Sequence, residues 1–361
     1  MTVGLRFIRG CGAMPLCVWL LLSLPCTVLA SAHWSLITWA KPFDYSSPMH
    51  TLDYVPLATR TRPWRFCVAY PHMKDSYWLS VNYGMVTQAR QLGVGFKLVE
   101  AGGYPNLQRQ IEQVKTCAGS GVDALIVGTV SFAGLTPALE KIAHRIPVLA
   151  TVNDIADTAI TAKSGVSWTT MGAVVGDYLA RLHPRGSSTA KIAWFPGPKG
   201  SGWVPFVDRG FRQAVATGAS HIVISKWGDT GKEVQRTLVQ DALESGIKFD
   251  YIVGNALAAE AAVSLLRNAG RSDQIHVLST YLTHAVYRGI KRGRILAAPT
   301  DSPVMQGRIS IDQAVRVLEG KPYLKHAGPE IIMVDGNNVN HLDLNASLAP
   351  PTFLPTFRVD P

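Results

Sequence analysis

Four short segments of this chain pair an aromatic ring with polar or turn-forming neighbours. They are Lys74-Asp75-Ser76-Tyr77-Trp78, Gly102-Gly103-Tyr104, Ser167-Trp168 and Tyr281-Leu282-Thr283-His284. Ring faces are electron-rich and attract cations, and several rings together form the kind of cage that holds a quaternary ammonium group. Asp75 or a tyrosine hydroxyl would then handle a ligand's polar end. Each residue also has a plainer reading. Trp78 shares a helical stripe with Val81 and Met85. Trp168 opens a helix, where a ring can pack as a staple. Asp75 is placed to cap a helix, because its oxygen can accept an exposed N–H. Tyr77, Tyr104 and Tyr281 would each serve as packing residues with a wet hydroxyl. What favours a site is that four separate loops deliver rings to the same place.

That place follows from the elements around them. Phe66-Cys67-Val68-Ala69-Tyr70 reads as a strand ending at Pro71, and residues 77–91 read as a helix stopped by Gly93. Residues 96–100 form a second strand. Leu107, Ile111, Val114 and Ala118 mark a second helix, and Ala124–Val127 is apolar throughout, as a strand covered on both faces must be. A helix through Leu135, Leu139 and Ile142 and a strand at 147–152 complete the series. The alternation restarts after about residue 165. It has helices at 169–182, 205–217, 231–245, 256–268 and 283–292, and strands at 191–195, 221–226, 251–254 and 275–280. Repeated β-α units predict parallel sheets with helices on both faces, here as two α/β lobes. A late helix at 303–319 and a strand at 331–334 would cross back between the lobes. In open α/β sheets ligands sit beyond the carboxyl ends of the strands, and all four ring-bearing segments fall at such ends. A small methylated amine suits four rings better than a sugar does, since a sugar wants several polar partners beside one stacking ring.

Other chemistries lack their residues. Pro196-Gly197-Pro198-Lys199-Gly200-Ser201-Gly202 is glycine-rich but has neither the spacing nor the Lys-Ser/Thr pair of a phosphate loop, so it reads as a plain βα connection. Gly165-Val166-Ser167-Trp168-Thr169 has threonine where a nucleophile elbow needs its second glycine. The ten histidines contain no H-E-x-x-H, and no zinc spacing is present. The reading is therefore a binding protein without metal or cofactor, not an enzyme.

With 361 residues and 47% hydrophobic content the chain is large enough for two lobes and too apolar to be disordered. Residues 1–32 carry Arg6 and Arg9, no acid, an apolar stretch over 14–24 and Ala30-Ser31-Ala32. That is the order of a secretory signal, too short to be a membrane span, and it predicts export to the periplasm with cleavage near Ala30 to Ala32. Cleavage takes two of the 35 basic residues and none of the 25 acids, so the net charge of +10 becomes +8. A basic balance can signal nucleic acid, but the export signal and the absence of a long Lys/Arg run argue for a solvated basic surface.

Several linked motifs resemble a known family. They are residues 74–80, Asn82-Tyr83-Gly84-Met85, residues 98–104, Ala258-Ala259-Glu260-Ala261-Ala262, residues 281–284 and residues 286–294. Over about residues 64–335 they are similar to the trimethylamine N-oxide (TMAO) sensors among the type I periplasmic binding proteins. The resemblance implies two Rossmann-like α/β lobes, each a parallel sheet flanked by helices, joined by a three-stranded hinge. It implies TMAO as ligand in the interlobe cleft. It also implies the periplasmic sensor domain of a membrane histidine kinase as partner, in a two-component system controlling TMAO respiration genes. By motif, Tyr77, Trp78, Trp168 and Tyr281 would form the cage around the methyl groups, with Tyr104 and Asp75 beside the N-oxide oxygen. Trp203 and Pro205, and the segment 33–63, depart from the family pattern.

The same resemblance implies a disulfide. In the strand order 2-1-3, the second helix passes over strand one, so Cys117 at its end falls near Cys67 at the start of that strand; export permits the bond. The expected organisation is a signal at 1–32, an N-terminal arm at 33–63 lying over the surface, and a tail at 346–361. The N-terminal lobe would take 64–160 plus 300–329, and the C-terminal lobe 161–299 plus 330–345. The competing function is delivery of a sugar or quaternary amine to a transporter. A DNA-binding repressor on the same lobes would need a helix-turn-helix where the export signal stands.

Overall fold

The computed structural model describes Gly4 and residues 33–361, so the expected signal peptide lies outside the described residues. The chain opens with β1 (Trp34–Trp39) and β2 (Met49–Tyr54), then enters a βα series. That series runs β3 (Arg65–Tyr70), α1 (Ser76–Leu92), β4 (Gly95–Glu100), α2 (Leu107–Ala118), β5 (Ala124–Val127), α3 (Thr136–Ala143), β6 (Val148–Thr151) and β7 (Ala162–Ser164). The second series is α4 (Trp168–Leu182), β8 (Lys191–Phe195), α5 (Val204–Val215), β9 (His221–Ser225), α6 (Lys232–Glu244), β10 (Tyr251–Gly254), α7 (Ala256–Asn268), β11 (His276–Ser279), α8 (His284–Lys291) and β12 (Ala297–Thr300). The chain closes with α9 (Pro303–Leu318), β13 (His326–Gly328), β14 (Ile332–Asp335), α10 (Leu344–Ser347) and β15 (Arg358–Val359).

The first sheet has the order β15-β4-β3-β5-β6-β7-β13-β1-β2, and the second β14-β12-β11-β10-β8-β9. Each βα series therefore reverses direction beside its first strand. In the first sheet Val68 pairs in parallel with both Leu98 and Ile126. β5 is buried along its whole length, which is why its sequence is uniformly apolar. Three segments cross between the sheets: 165–167 from β7 to α4, 301–302 from β12 to α9, and 329–331 from β13 to β14. This is the type I binding-protein architecture of two α/β lobes and a three-segment hinge.

Two glycine-seamed helix pairs aim the cleft. In the first lobe α1 and α9 touch backbone to backbone. A Cβ on Gly84 would stand 1.9 Å from the Val304 carbonyl oxygen, and one on Gly307 would stand 2.2 Å from that of Val81. In the second lobe a Cβ on Gly172 would meet the Val207 oxygen at 2.1 Å, and one on Gly210 the Thr169 oxygen at 1.9 Å. No side chain fits at such distances, so the helices lie at closest approach with their N-termini side by side at the cleft. Asp75 caps α1 by accepting the N–H groups of Tyr77 at 2.8 Å and Trp78 at 3.2 Å. Ser167 caps α4 by accepting the Thr170 N–H.

The segments at the chain ends are more structured than their sequence suggests. Residues 33–54, expected to lie over the surface, form the β1–β2 hairpin that extends the first sheet through β13. Trp34 and Leu36 face inward, but the nine-residue loop between the strands and its prolines break the alternation. The first sheet also takes in Ala162–Ser164, beyond the boundary expected at residue 160. In the tail, β15 pairs antiparallel with β4. Asn82 holds that tail with two hydrogen bonds to the Thr356 backbone, at 2.8 and 3.0 Å. The Cys67 and Cys117 sulfurs are joined in a disulfide whose Cα atoms are 5.9 Å apart.

Candidate functional site

Each ring reaches the cleft from the end of a strand or the first turn of a helix. Tyr77 and Trp78 stand in the first turn of α1, Tyr104 follows β4, Trp168 begins α4, and Tyr281 follows β11. All five are buried, at 8% exposure or less. Together with Asp75, Asn153, Thr230 and Trp203 they line one cavity. Tyr77 lies 5.3 Å from Tyr281, 6.0 Å from Trp78 and 6.4 Å from Trp168, centroid to centroid. The free space left among these side chains is only ≈ 10 Å³, about enough for one water molecule, so the rings are closely packed in this arrangement. A wider groove lies outside it, between Lys74 and Arg288, with no Phe, Tyr or Trp among its lining residues. Asp75 borders both spaces.

The polar atoms of the cavity divide into two kinds. The Tyr77 hydroxyl donates to Asp301 at 2.6 Å, and the Tyr281 hydroxyl donates to Asp75 at 3.2 Å. Asp301 also accepts from the Gln306 amide at 2.7 Å. Those two hydroxyl protons are committed inside the protein. Tyr104 differs: its oxygen accepts from the Asn153 amide at 3.2 Å, and its own proton has no acceptor among the described residues. Burial pushes the hydroxyls of Tyr77, Tyr104 and Tyr281 above the ordinary phenol range, so all three stay neutral donors at neutral pH. Burial also pushes the Asp301 carboxyl up. Asp75 can only accept while it is ionised, and its two oxygens take the α1 cap bonds and the Tyr281 proton.

Backbone at the hinge fixes the rings. Val152, just past β6, holds a left-handed φ of 66°, rare for a β-branched residue. Its carbonyl accepts the Trp168 indole N–H at 3.1 Å. Strain of this kind persists only where neighbours over-determine it, and it clusters at ligand sites. Next to it, Asn153 also donates to the Thr129 carbonyl at 2.7 Å, which aims its amide at Tyr104.

The two lobes meet around the cavity. Asp229 of the second lobe accepts the Tyr104 backbone N–H at 3.3 Å and faces the Lys74 ammonium at 3.8 Å. His72 of the first lobe bonds Thr230 of the second at 2.9 Å, and burial holds its imidazole below the usual range. The structure thus brings Tyr77, Trp78, Trp168, Tyr281, Tyr104 and Asp75 into one space with the lobes latched over it.

Sequence reasoning missed four contributors: Trp203, Asn153, Asp229 and Thr230. Trp203 stands directly before α5, 5.1 Å from Trp168, 5.8 Å from Tyr281 and 6.3 Å from Tyr104. It lies in a loop beyond the carboxyl end of β8, so the rule that found the other rings would have found it too. The glycine-rich stretch before it reads as a plain βα connection, and Trp203 itself departs from the family pattern. Asn153, Asp229 and Thr230 act across elements or across lobes, and no local pattern marks them.

Two doubly wound lobes joined by three crossings, with a cavity between them, are the architecture of the type I periplasmic binding proteins. Residues 66–322 match the family model described as a periplasmic binding protein domain, and the chain belongs to that family. It is 37% identical over 347 residues to the periplasmic protein TorT of Escherichia coli (strain K12), spanning 95% of this chain and 97% of that protein. Its structure is similar to the complex of the TorS sensor domain with TorT in the presence of TMAO. The identity is 43% and the TM-score 0.74, over 81% of this chain and 99% of that one. An ABC transporter solute-binding protein from Bradyrhizobium sp. BTAi1, with bound Bis-Tris, is 47% identical with a TM-score of 0.77, over 90% of this chain and 98% of that chain. Proteins of this family bind ligands in the periplasm. Among the described residues, no helix is long and apolar enough to cross a membrane.

Proposed function

We propose that this chain is a periplasmic sensor that binds TMAO in the interlobe cavity and regulates a TorS-like membrane histidine kinase controlling TMAO respiration genes. One observation carries the reading: aromatic rings from both lobes line the cavity, while the Tyr104–Asn153 corner supplies a hydroxyl proton with no acceptor among the described residues. TMAO joins a methylated, positively polarised nitrogen to a negatively polarised oxygen. Rings suit the first and a hydrogen-bond donor suits the second. Tyr77, Trp78, Trp168 and Tyr281 take the methyl groups in this reading, and Tyr104 takes the oxygen. Asp75, as an acceptor, belongs on the side of the positive nitrogen rather than beside the oxygen. The similarity to TorT, and to its complex with the TorS sensor domain, supports both ligand and partner.

The mechanism is a shift of population. A ligand touching both lobes favours the closed arrangement by its higher affinity for it. The kinase then reads that arrangement from the surface, and no reaction is catalysed. Trp168→Ala removes one wall and should weaken TMAO binding at least tenfold in calorimetry while the far-ultraviolet circular dichroism is retained. Unchanged affinity in a folded variant would sink the cage. The similarity to a transporter's solute-binding protein favours a second reading, delivery to a permease. Deleting the gene separates the two: a sensor's loss abolishes the TMAO-induced transcript, whereas a carrier's loss lowers uptake and leaves the transcript.

A further inference from the structure

The glycine-rich stretch 196–202 has no part in the function proposed so far, yet it is built with care around one side chain. Gly197 has a φ of +124°, and a Cβ there would press on the Trp203 ring at 3.1 Å. Gly202 leaves no room for a Cβ either: it would stand 2.4 Å from the Asp154 carbonyl oxygen in the first lobe. The loop thus lets a second-lobe tryptophan close against first-lobe backbone. Trp203 is 2% exposed, among Tyr104, Trp168 and Tyr281. Its indole N–H is buried and meets no hydrogen-bond partner in good geometry among the described residues. The Trp203 and Trp78 indoles both act on the Tyr104 oxygen as donors and favour its ionised form, but the Trp203 N–H falls short of hydrogen-bond geometry there.

A buried, unpaired N–H is costly, roughly 1–3 kcal/mol, and native sites that keep one usually have a use for it. By contrast, the Trp168 indole is satisfied by the Val152 carbonyl and serves as a ring only. We infer that Trp203 is a specificity-determining residue of the cavity, its indole N–H joining the Tyr104 hydroxyl to donate to the ligand's oxygen. The ligand class narrows accordingly. It carries an anionic or strongly polarised oxygen one bond from a methylated nitrogen, so that the rings and both donors are satisfied within one small cavity. A methylated ammonium ion without oxygen leaves both donors unpaired, and a longer zwitterion places its carboxylate too far from the nitrogen. The inference rests on the TMAO reading and adds the group that tells TMAO from trimethylamine.

The test uses Trp203→Phe, which keeps a ring and removes the N–H. Calorimetry should show TMAO affinity falling about tenfold, the scale of one lost hydrogen bond to a charged partner. Binding of tetramethylammonium should change less than about twofold by the same reasoning. In the wild-type protein the indole proton of Trp203, assigned as the ¹H–¹⁵N signal missing from the variant or by triple-resonance methods, should move downfield on TMAO addition. That readout decides the matter even where the variant fails to fold. An unmoved indole signal, or unchanged TMAO affinity in a folded variant, overturns the inference and leaves the cage standing. No TMAO binding by the wild-type protein overturns the cage and this inference with it.

Discussion

His326 gives the hinge a pH-dependent stability whose sign and size follow from its surroundings. It sits on β13, 1% exposed, stacked on Trp39 at 4.2 Å and beside Phe43 at 5.7 Å, with Tyr45 edge-on at 4.8 Å. Its Nδ1 accepts the Phe43 backbone N–H at 3.0 Å, so the proton must be on Nε2, which has no partner among the described residues. Protonation would break that bond and place a charge in an apolar box near the Lys163 ammonium. Burial first, and Lys163 second, hold the imidazole down at about 2. In the unfolded chain the group titrates near 6.5. The unfolded state therefore binds the extra proton between these values. Stability is full above about pH 6.5 and falls below it, by up to ~1.4 kcal/mol per pH unit. At pH 5 the loss from this residue is about 2 kcal/mol. The assay is urea unfolding of wild type and His326→Gln between pH 8 and pH 4.5. His72, also buried with a lowered pKa, contributes in the same direction to both proteins, so their difference isolates His326. The wild-type stability should fall about 2 kcal/mol more than the variant's from pH 7 to pH 5. Identical pH dependence in the two would refute the reasoning.

Two further outcomes follow from the geometry. The Cys67–Cys117 bond closes a loop across 50 residues, so the Cys67→Ser/Cys117→Ser variant should lose up to about 4 kcal/mol in denaturant titration; a variant as stable as wild type would mean that the bond does not form in the exported protein. Asp229→Ala frees the Tyr104 backbone N–H and Lys74 from the second lobe, so small-angle scattering should show a larger radius of gyration and calorimetry a weaker ligand; an unchanged radius would show that this latch does not hold the lobes together.

The parts of this fold that sequence revealed are those written locally. β5 is covered on both faces, and four consecutive apolar residues say so. The α1 boundaries are marked by Asp75 as cap and by Gly93 in a left-handed conformation at the other end. Rings at strand ends were legible because the architecture sends all such ends to one cleft. The β1–β2 hairpin was hidden because its pairing partner, β13, lies almost three hundred residues away along the chain. β15 has only two residues and shows no period. Trp203 depends on α5 lying against α4, a contact set by glycines whose meaning is visible only in three dimensions. The commitment of the Tyr77 and Tyr281 protons, which leaves Tyr104 alone of the three tyrosines with its proton free, is likewise a property of the assembled cavity.

The central claim is that the cavity reads a methylated nitrogen and its oxygen together. Its most direct test is calorimetric titration of the chain from residue 33 onward with TMAO, trimethylamine, betaine and ribose. The account predicts saturable TMAO binding, at least tenfold tighter than trimethylamine, with betaine weaker still and ribose silent. Tight ribose binding with no response to TMAO would keep the fold and contradict the function.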